Sequence, residues 1–236
     1  YVNDDEAVKR ISEKLYRKLE IQSAKRMINM NEKDKSDGGR IIGTEGFCGE
    51  EYLTDYFRYR TFEFLADELI RYNIRGKVAE VGVFRGVFAK LINEKFNDRE
   101  FYLFDTFEGF DEEEVNREMG YGRCDRMFKE RYMKTSEEEV LAKLKYPEKC
   151  TVFKGLFPDT VTGEAEKSEF AFVSIDVDLE ESTYQGIRFF YPRLCKGGYL
   201  YIHDYNSSHL SGVRRAVERY EEDGHIRLRK VPLADS

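Results

Sequence analysis

The sequence predicts an α/β domain built on a mostly parallel sheet with helices on both faces, preceded by an N-terminal helical extension. Three observations carry this prediction. From Val78 onward short apolar strands alternate with amphipathic segments, the pattern of β-α-β units whose right-handed crossovers make the strands parallel. The strand Val78 to Val83 runs into a glycine turn, Glu80-x-Gly82-x-x-x-Gly86, that opens a helix. Later strands end in Asp105, in Asp176 and Asp178, and in His203 and Asp204, and in an open α/β sheet such strand ends share the edge where ligands bind.

At 236 residues the chain is long enough for one substantial domain with a terminal extension and short for two independent cores. Residues 1–72 are expected to form a helical arm and cap, and 73–236 the core, with a lid-like insertion at about 107–135. The net charge of -7 and the mixing of Lys and Arg with Asp and Glu leave no basic stripe, so nucleic acid is not an expected partner. Cys48, Cys124, Cys150 and Cys195 lack zinc-ligand spacing and read as reduced thiols, which fits a cytoplasmic setting. No apolar run approaches a membrane span and no signal-peptide pattern appears, so no membrane association is expected. The chain begins at Tyr1 rather than Met, which leaves a preceding segment open.

In chain order, Val8, Ile11, Leu15 and Leu19 fall at helical spacing among charges. This arm suits packing on the core or on a second copy of the chain, hence an expected homodimer. Glycines at 38, 39, 43 and 46 punctuate a loop. The aromatic-rich stretch from Glu51 to Tyr72 reads as a helix covering the sheet. Val87 to Phe96 follows as a helix and Glu100 to Phe104 as a second strand. Ser136 with three glutamates after it caps a helix to Leu144, and Cys150 to Lys154 is a third strand. Pro158 and Asp159 suit entry into a short helix. Phe170 to Ile175 is apolar on both faces, as a central parallel strand should be. Ser182 or Thr183 is expected to cap the next helix, which ends before Pro192. Gly197-Gly198 reads as a turn into a strand from Tyr199 to Ile202, Val213 to Tyr220 as a helix, and His225 to Val231 as a closing strand.

The strand-end residues divide by chemistry. Glu80 and Asp105 flank the glycine turn, where a carboxylate can accept the hydroxyl hydrogens of a ribose. Asp176, His203 and Asp204 offer oxygens and an imidazole suited to an octahedral Mg2+ or Mn2+. So many acids repel one another unless something positive sits among them, and a metal would supply it. His203 is alternatively a general base, its unperturbed pKa being about 6.5. Asp178 reads equally as a helix cap. His209 and His225 are expected at the surface or in packing.

Glu80 to Gly86, Leu103 to Phe110, Phe153 to Thr160, Phe172 to Asp178, Tyr191 to Leu194, Gly197-Gly198 and His203-Asp204-Tyr205, taken as an ordered set, resemble the macrocin O-methyltransferase family. The resemblance covers the chain from about Ile41 to Val217. It implies a Rossmann-like class I S-adenosylmethionine-dependent methyltransferase fold with a seven-stranded sheet, and Mg2+-dependent methyl transfer to a hydroxyl, often of a sugar on a natural product. The acceptor would thus be a small molecule, glycosylated in many cases. By resemblance, Glu80, Gly82, Gly86, Asp105 and Thr106 fall in the S-adenosylmethionine site, and Asp176, His203 and Asp204 take the metal positions. Asp176, Asp178 and His203 are the catalytic candidates, any of which could collect the acceptor's proton. The family commonly has Asp-Asp-Tyr where this chain has His203-Asp204-Tyr205, and Tyr where it has Glu180.

Two other classes use a similar frame. A nicotinamide oxidoreductase also needs a strand, a glycine turn and a ribose-binding acid, but Gly-x-Gly-x-x-Gly is missing. A non-catalytic binding module on the same fold is the third reading, since a fold does not settle a function. The insertion Asp111 to Thr135 interleaves Arg117, Arg123, Arg126 and Arg131 with Tyr121, Phe128 and Tyr132. It reads as a solvated segment or as an acceptor lid with aromatic faces for a sugar or polyketide.

Overall fold

The computed structural model describes residues 56–124, 135–207 and 209–231. The elements run α1 (Tyr56–Arg71), β1 (Lys77–Val81), α2 (Val87–Lys95), β2 (Phe101–Asp105), α3 (Glu112–Gly120), α4 (Glu137–Leu141), β3 (Cys150–Lys154), β4 (Phe170–Ile175), α5 (Glu180–Phe190), β5 (Leu194–Ile202) and α6 (Ser211–Gly224). Every strand pairing is parallel, in the order β3-β2-β1-β4-β5. This is the predicted α/β architecture. The order reverses beside β1, which places the crevice at the carboxyl ends of β1 and β4.

The sheet is covered on both faces, which is why β2 and β4 read as continuous apolar runs. On one face Phe62 of α1 and Phe96, just after α2, pack on Phe172, and Phe88 of α2 packs on Phe62. On the other, Phe104, Phe153, Phe157, Phe170 and Phe190 interlock, with Phe104 stacked on Phe153 at 4.6 Å and Phe170 edge-on to Phe190 at 5.0 Å. Truncating one such buried ring costs about 3–5 kcal/mol.

Five expectations change. Gly197-Gly198 is not a turn before β5 but a bulge inside it: Phe170 pairs with Leu194 and Phe172 with Tyr199, so the intervening residues arch outward. Gly197 takes a φ of +84°, and a Cβ on Gly198 would come within 3.0–3.1 Å of three backbone oxygens. His225 to Val231 forms no strand. The Leu228 amide donates to Glu221 Oε1 rather than to a ladder, and the Leu228 side chain enters the core. Among the described residues the sheet therefore has five strands, not the seven implied by resemblance. Pro158 and Asp159 lie in a turn, with a single 3-10 turn later at Ala165–Lys167. Finally, α5 begins at Glu180, ahead of both expected capping residues.

Ser136 does cap its helix, accepting from the Glu139 amide at 3.1 Å. His209 and His225 are exposed, and Cys124, Cys150 and Cys195 are free thiols. Among the described residues no helix is long and apolar enough to cross a membrane. The arm before residue 56, Cys48, and Arg126, Phe128, Arg131 and Tyr132 of the insertion lie outside the described residues.

Candidate active site

Ladder hydrogen bonds continue just past the strands and set the site residues side by side. The Gly82 amide donates to Phe104 O, Asp176 to Val81 O, and His203 to Ile175 O, at 2.8–3.0 Å. Glu80, Gly82, Asp105, Thr106, Asp176, Asp178, His203 and Asp204 consequently line one cavity of about 450 Å3. Gly86 sits behind it at the start of α2.

The glycine turn is fixed by close approach. Gly82 has a φ of +85°, and a Cβ there would lie 1.8 Å from the Asp176 carbonyl oxygen; at Gly86, with φ +74°, a Cβ would meet Val140 Cγ1 at 2.9 Å. Asp105 braces the turn from the next strand. Its Oδ2 accepts from the Val83 and Phe84 amides, both at 2.7 Å, and its Oδ1 from the Phe107 amide at 2.6 Å. Thr106 Oγ1 donates to Gly109 O at 2.5 Å, closing the following turn.

Glu80 is 1% exposed, and its Oε2 has no hydrogen-bond partner among the described residues. Burial pushes its carboxyl well above the usual range; the Arg58 charge offsets part of this, and Asp176 and Asp105 add to the rise. That oxygen stands open at the cavity wall.

Asp176, His203 and Asp204 gather as predicted, with ligand atoms all within 4.8 Å of one another. His203 Nδ1 stands 2.5 Å from Asp204 Oδ2 and 3.2 Å from Asp176 Oδ1. The oxygens fit Mg2+ or Mn2+, and the imidazole leans the donor set toward the softer ion. Asp204 and Asp178 both have left-handed backbones, with φ of 57° and 61°, the kind of backbone cost found at functional turns. Asp178 does not cap α5. It is buried at 8% exposure, and burial, followed by the charges of Asp176 and Asp204, raises its carboxyl well above the usual range.

Two residues of the site were not legible as such. Arg58 of α1 supplies positive charge among the acids: its Nη1 lies 2.6 Å from Asp176 Oδ2. Burial alone would raise Asp176, but Arg58 and then His203 outweigh it and hold the carboxyl well below the usual range. The sequence signal was there, since Arg58 shares a helical stripe with the buried Phe62, Leu65 and Leu69. Glu114 of α3 is the real cap of α5. It accepts from the Ser182 amide at 2.9 Å and the Ser182 hydroxyl at 2.5 Å, while Asp111 caps α3 itself. Arg123 bonds Glu180 as well, so the first part of the insertion is tied to the helix that follows Asp178.

The parallel sheet and its strand order are those of a Rossmann-like class I methyltransferase. The model of the Macrocin-O-methyltransferase (TylF) family matches residues 2–232, and the chain belongs to that family. It is an O-methyltransferase, which sets aside the nicotinamide and inert-module readings. It is similar to 8-demethyl-8-(2,3-dimethoxy-alpha-L-rhamnosyl)-tetracenomycin-C 4'-O-methyltransferase of Streptomyces olivaceus, 25% identical over 195 residues, which are 77% of this chain and 71% of that one. Demethyldecarbamoylnovobiocin O-methyltransferase of Streptomyces niveus is 29% identical over 151 residues, 59% of this chain and 56% of the relative. Among solved structures, the O-methyltransferase NovP superposes with a TM-score of 0.59 at 26% identity, covering 72% of each chain. The calicheamicin methyltransferase CalS11 superposes with a TM-score of 0.54 at 20% identity, covering 84% of this chain and 95% of that one, a likeness of fold.

Proposed function

We propose that the enzyme transfers the methyl group of S-adenosylmethionine to a hydroxyl of a sugar or other natural-product acceptor, with a divalent cation at Asp176, His203 and Asp204. The observation that carries this reading is the meeting of that donor set with the braced glycine turn and the open Glu80 oxygen in one cavity. One relative is named for 4'-O-methylation of a rhamnosyl-tetracenomycin and the other for O-methylation of demethyldecarbamoylnovobiocin.

When bound, S-adenosylmethionine supplies an electrophilic methyl group and the divalent cation supplies charge that makes an acceptor hydroxyl more acidic. The chain's own residues then position and exchange protons. Gly82 lets the turn at the cavity pack against Asp176 and Gly86 lets α2 pack against Val140, Glu80 Oε2 accepts a hydrogen bond from the donor, and Asp105 keeps the turn in shape. His203 Nδ1 faces Asp204 and Asp176, and Asp178, which lines the same cavity, takes the acceptor's proton on a carboxylate oxygen. With donor and acceptor held in the cavity, displacement at the methyl carbon would break its bond to sulfur as the bond to the acceptor oxygen forms, and S-adenosylhomocysteine would leave. Alignment of the two reacting atoms accounts for much of the rate. The first part of the insertion, fastened by Glu114, borders the acceptor side and serves as its lid.

The test is release of S-adenosylhomocysteine from a panel of sugar and phenolic hydroxyls, with Mg2+ and with EDTA. Release that needs both an acceptor and the ion supports the reading; full activity in EDTA removes the ion from it.

A further inference from the structure

Helix α1 precedes the whole sheet in sequence, yet it delivers a cation into the acid cluster at the strand ends. Arg58 is 7% exposed. Its guanidinium carbon rests 4.2 Å from the Phe88 ring centroid, and Nη1 meets Asp176 Oδ2 at 2.6 Å. Stacking on an aromatic face fixes the planar group, and a fixed guanidinium fixes the carboxylate paired with it. The other Asp176 oxygen, Oδ1, is the one turned to His203.

Asp176 is therefore divided between two cations' territories. One oxygen is reserved by Arg58 and the other belongs to the Asp176-His203-Asp204 set. Glu80, Asp178 and Asp204 line the same cavity, and a full positive charge held against their common neighbour neutralises part of the field that would draw in a divalent ion. Arg85 also lines the cavity, but it is exposed.

We propose that Arg58 is a positioning residue and built-in counter-ion of this site: it holds Asp176 so that a single oxygen faces the donor set, and it limits how tightly a divalent cation binds. This deepens the divalent-cation reading above and rests on it. Arg58 thus keeps the ion exchangeable while orienting a ligand for it. A residue with a merely structural role would, when removed, weaken cation binding and activity together. Removing a counter-ion instead strengthens cation binding while activity falls.

The experiment is Mn2+ binding to the full chain, followed by loss of the free-ion electron paramagnetic resonance signal, for wild type, Arg58→Met and Arg58→Lys, with circular dichroism as the check of folding. Arg58→Met is expected to bind Mn2+ about tenfold or more tightly than wild type, because a repelling charge is gone, and to transfer methyl groups more slowly. Arg58→Lys, which keeps the charge without the planar fork, is expected to bind Mn2+ as wild type does. Equal or weaker Mn2+ binding by folded Arg58→Met overturns the inference. If Arg58→Met does not fold, the Lys variant decides: wild-type affinity with slowed transfer upholds the inference, and a changed affinity overturns it. Binding by Arg58→Met but not by wild type sinks the divalent-ion reading for the native enzyme, and with it the claim that Arg58 keeps a bound ion exchangeable. No binding by either sinks both.

Discussion

Asp105 offers the sharpest test of how the donor turn is held. Its carboxylate accepts three backbone amides, Val83 and Phe84 at 2.7 Å and Phe107 at 2.6 Å, distances in the charge-assisted range. In Asp105→Asn one oxygen can keep the Val83 and Phe84 bonds, but an NH2 group then faces the Phe107 amide, donor against donor. A hydrogen bond to a charged group contributes about 1.5–3 kcal/mol, and the half-buried position of Asp105 favours the lower part of that range. For a chain of this size each kcal/mol moves the melting temperature by about 2–4 °C, so Asp105→Asn should melt roughly 3–8 °C lower. Asp105→Ala loses all three bonds and should fall further. Since 1.4 kcal/mol is about tenfold in an equilibrium constant, S-adenosylhomocysteine binding by calorimetry should weaken about tenfold or more in the Asn variant. An Asp105→Ala protein that melts and binds like wild type would show that the carboxylate does not brace the turn.

Three further predictions follow from contacts around the same cavity. Gly82→Ala places a Cβ 1.8 Å from Asp176 O at a φ of +85°; a cost above about 4 kcal/mol is expected in urea unfolding, and stability near wild type would contradict the close approach. Glu114→Gln keeps both bonds to Ser182 while removing a carboxyl that burial raises despite those bonds. A raised folded-state pKa contributes stability that is present at low pH and is lost as pH rises through it, so the Gln variant should match or exceed wild type in melting temperature at pH 8 and lose that advantage toward pH 5. The opposite trend would refute the sign. Asp178→Asn should lower kcat by about 100-fold or more, as expected for loss of a general base, while leaving S-adenosylhomocysteine affinity near wild type; an unchanged kcat would move the proton to another group.

The parts of this molecule that could be read in its sequence are those governed by short-range patterns. β3 and β4 match their expected bounds because each is a bounded run of strand formers, and the strand-end acids gather because parallel topology forces strand ends to one edge. The bulge in β5 was misread because Gly197-Gly198 carries the same letters whether it turns the chain or arches within a ladder. The cap of α5 was misread because its acceptor, Glu114, comes from a helix 68 residues distant in sequence, and local capping rules see only neighbours. Arg58 was passed over for a related reason. An Arg in an aromatic-rich helix reads as solvated charge unless its place on the stripe with Phe62, Leu65 and Leu69 is weighed. The repulsion among the acids was foreseen, but one source of its relief lies on α1.

A crystal structure with S-adenosylhomocysteine and Mn2+ tests the central claim most directly, because anomalous scattering locates the ion independently of the protein density. The account predicts an ion bounded by Asp176 Oδ1, His203 and Asp204, with Arg58 still on Asp176 Oδ2 and S-adenosylhomocysteine lying along the Gly82 turn within reach of Glu80 Oε2. An ion bound elsewhere, or a ligand that leaves the Gly82 turn empty, would contradict it.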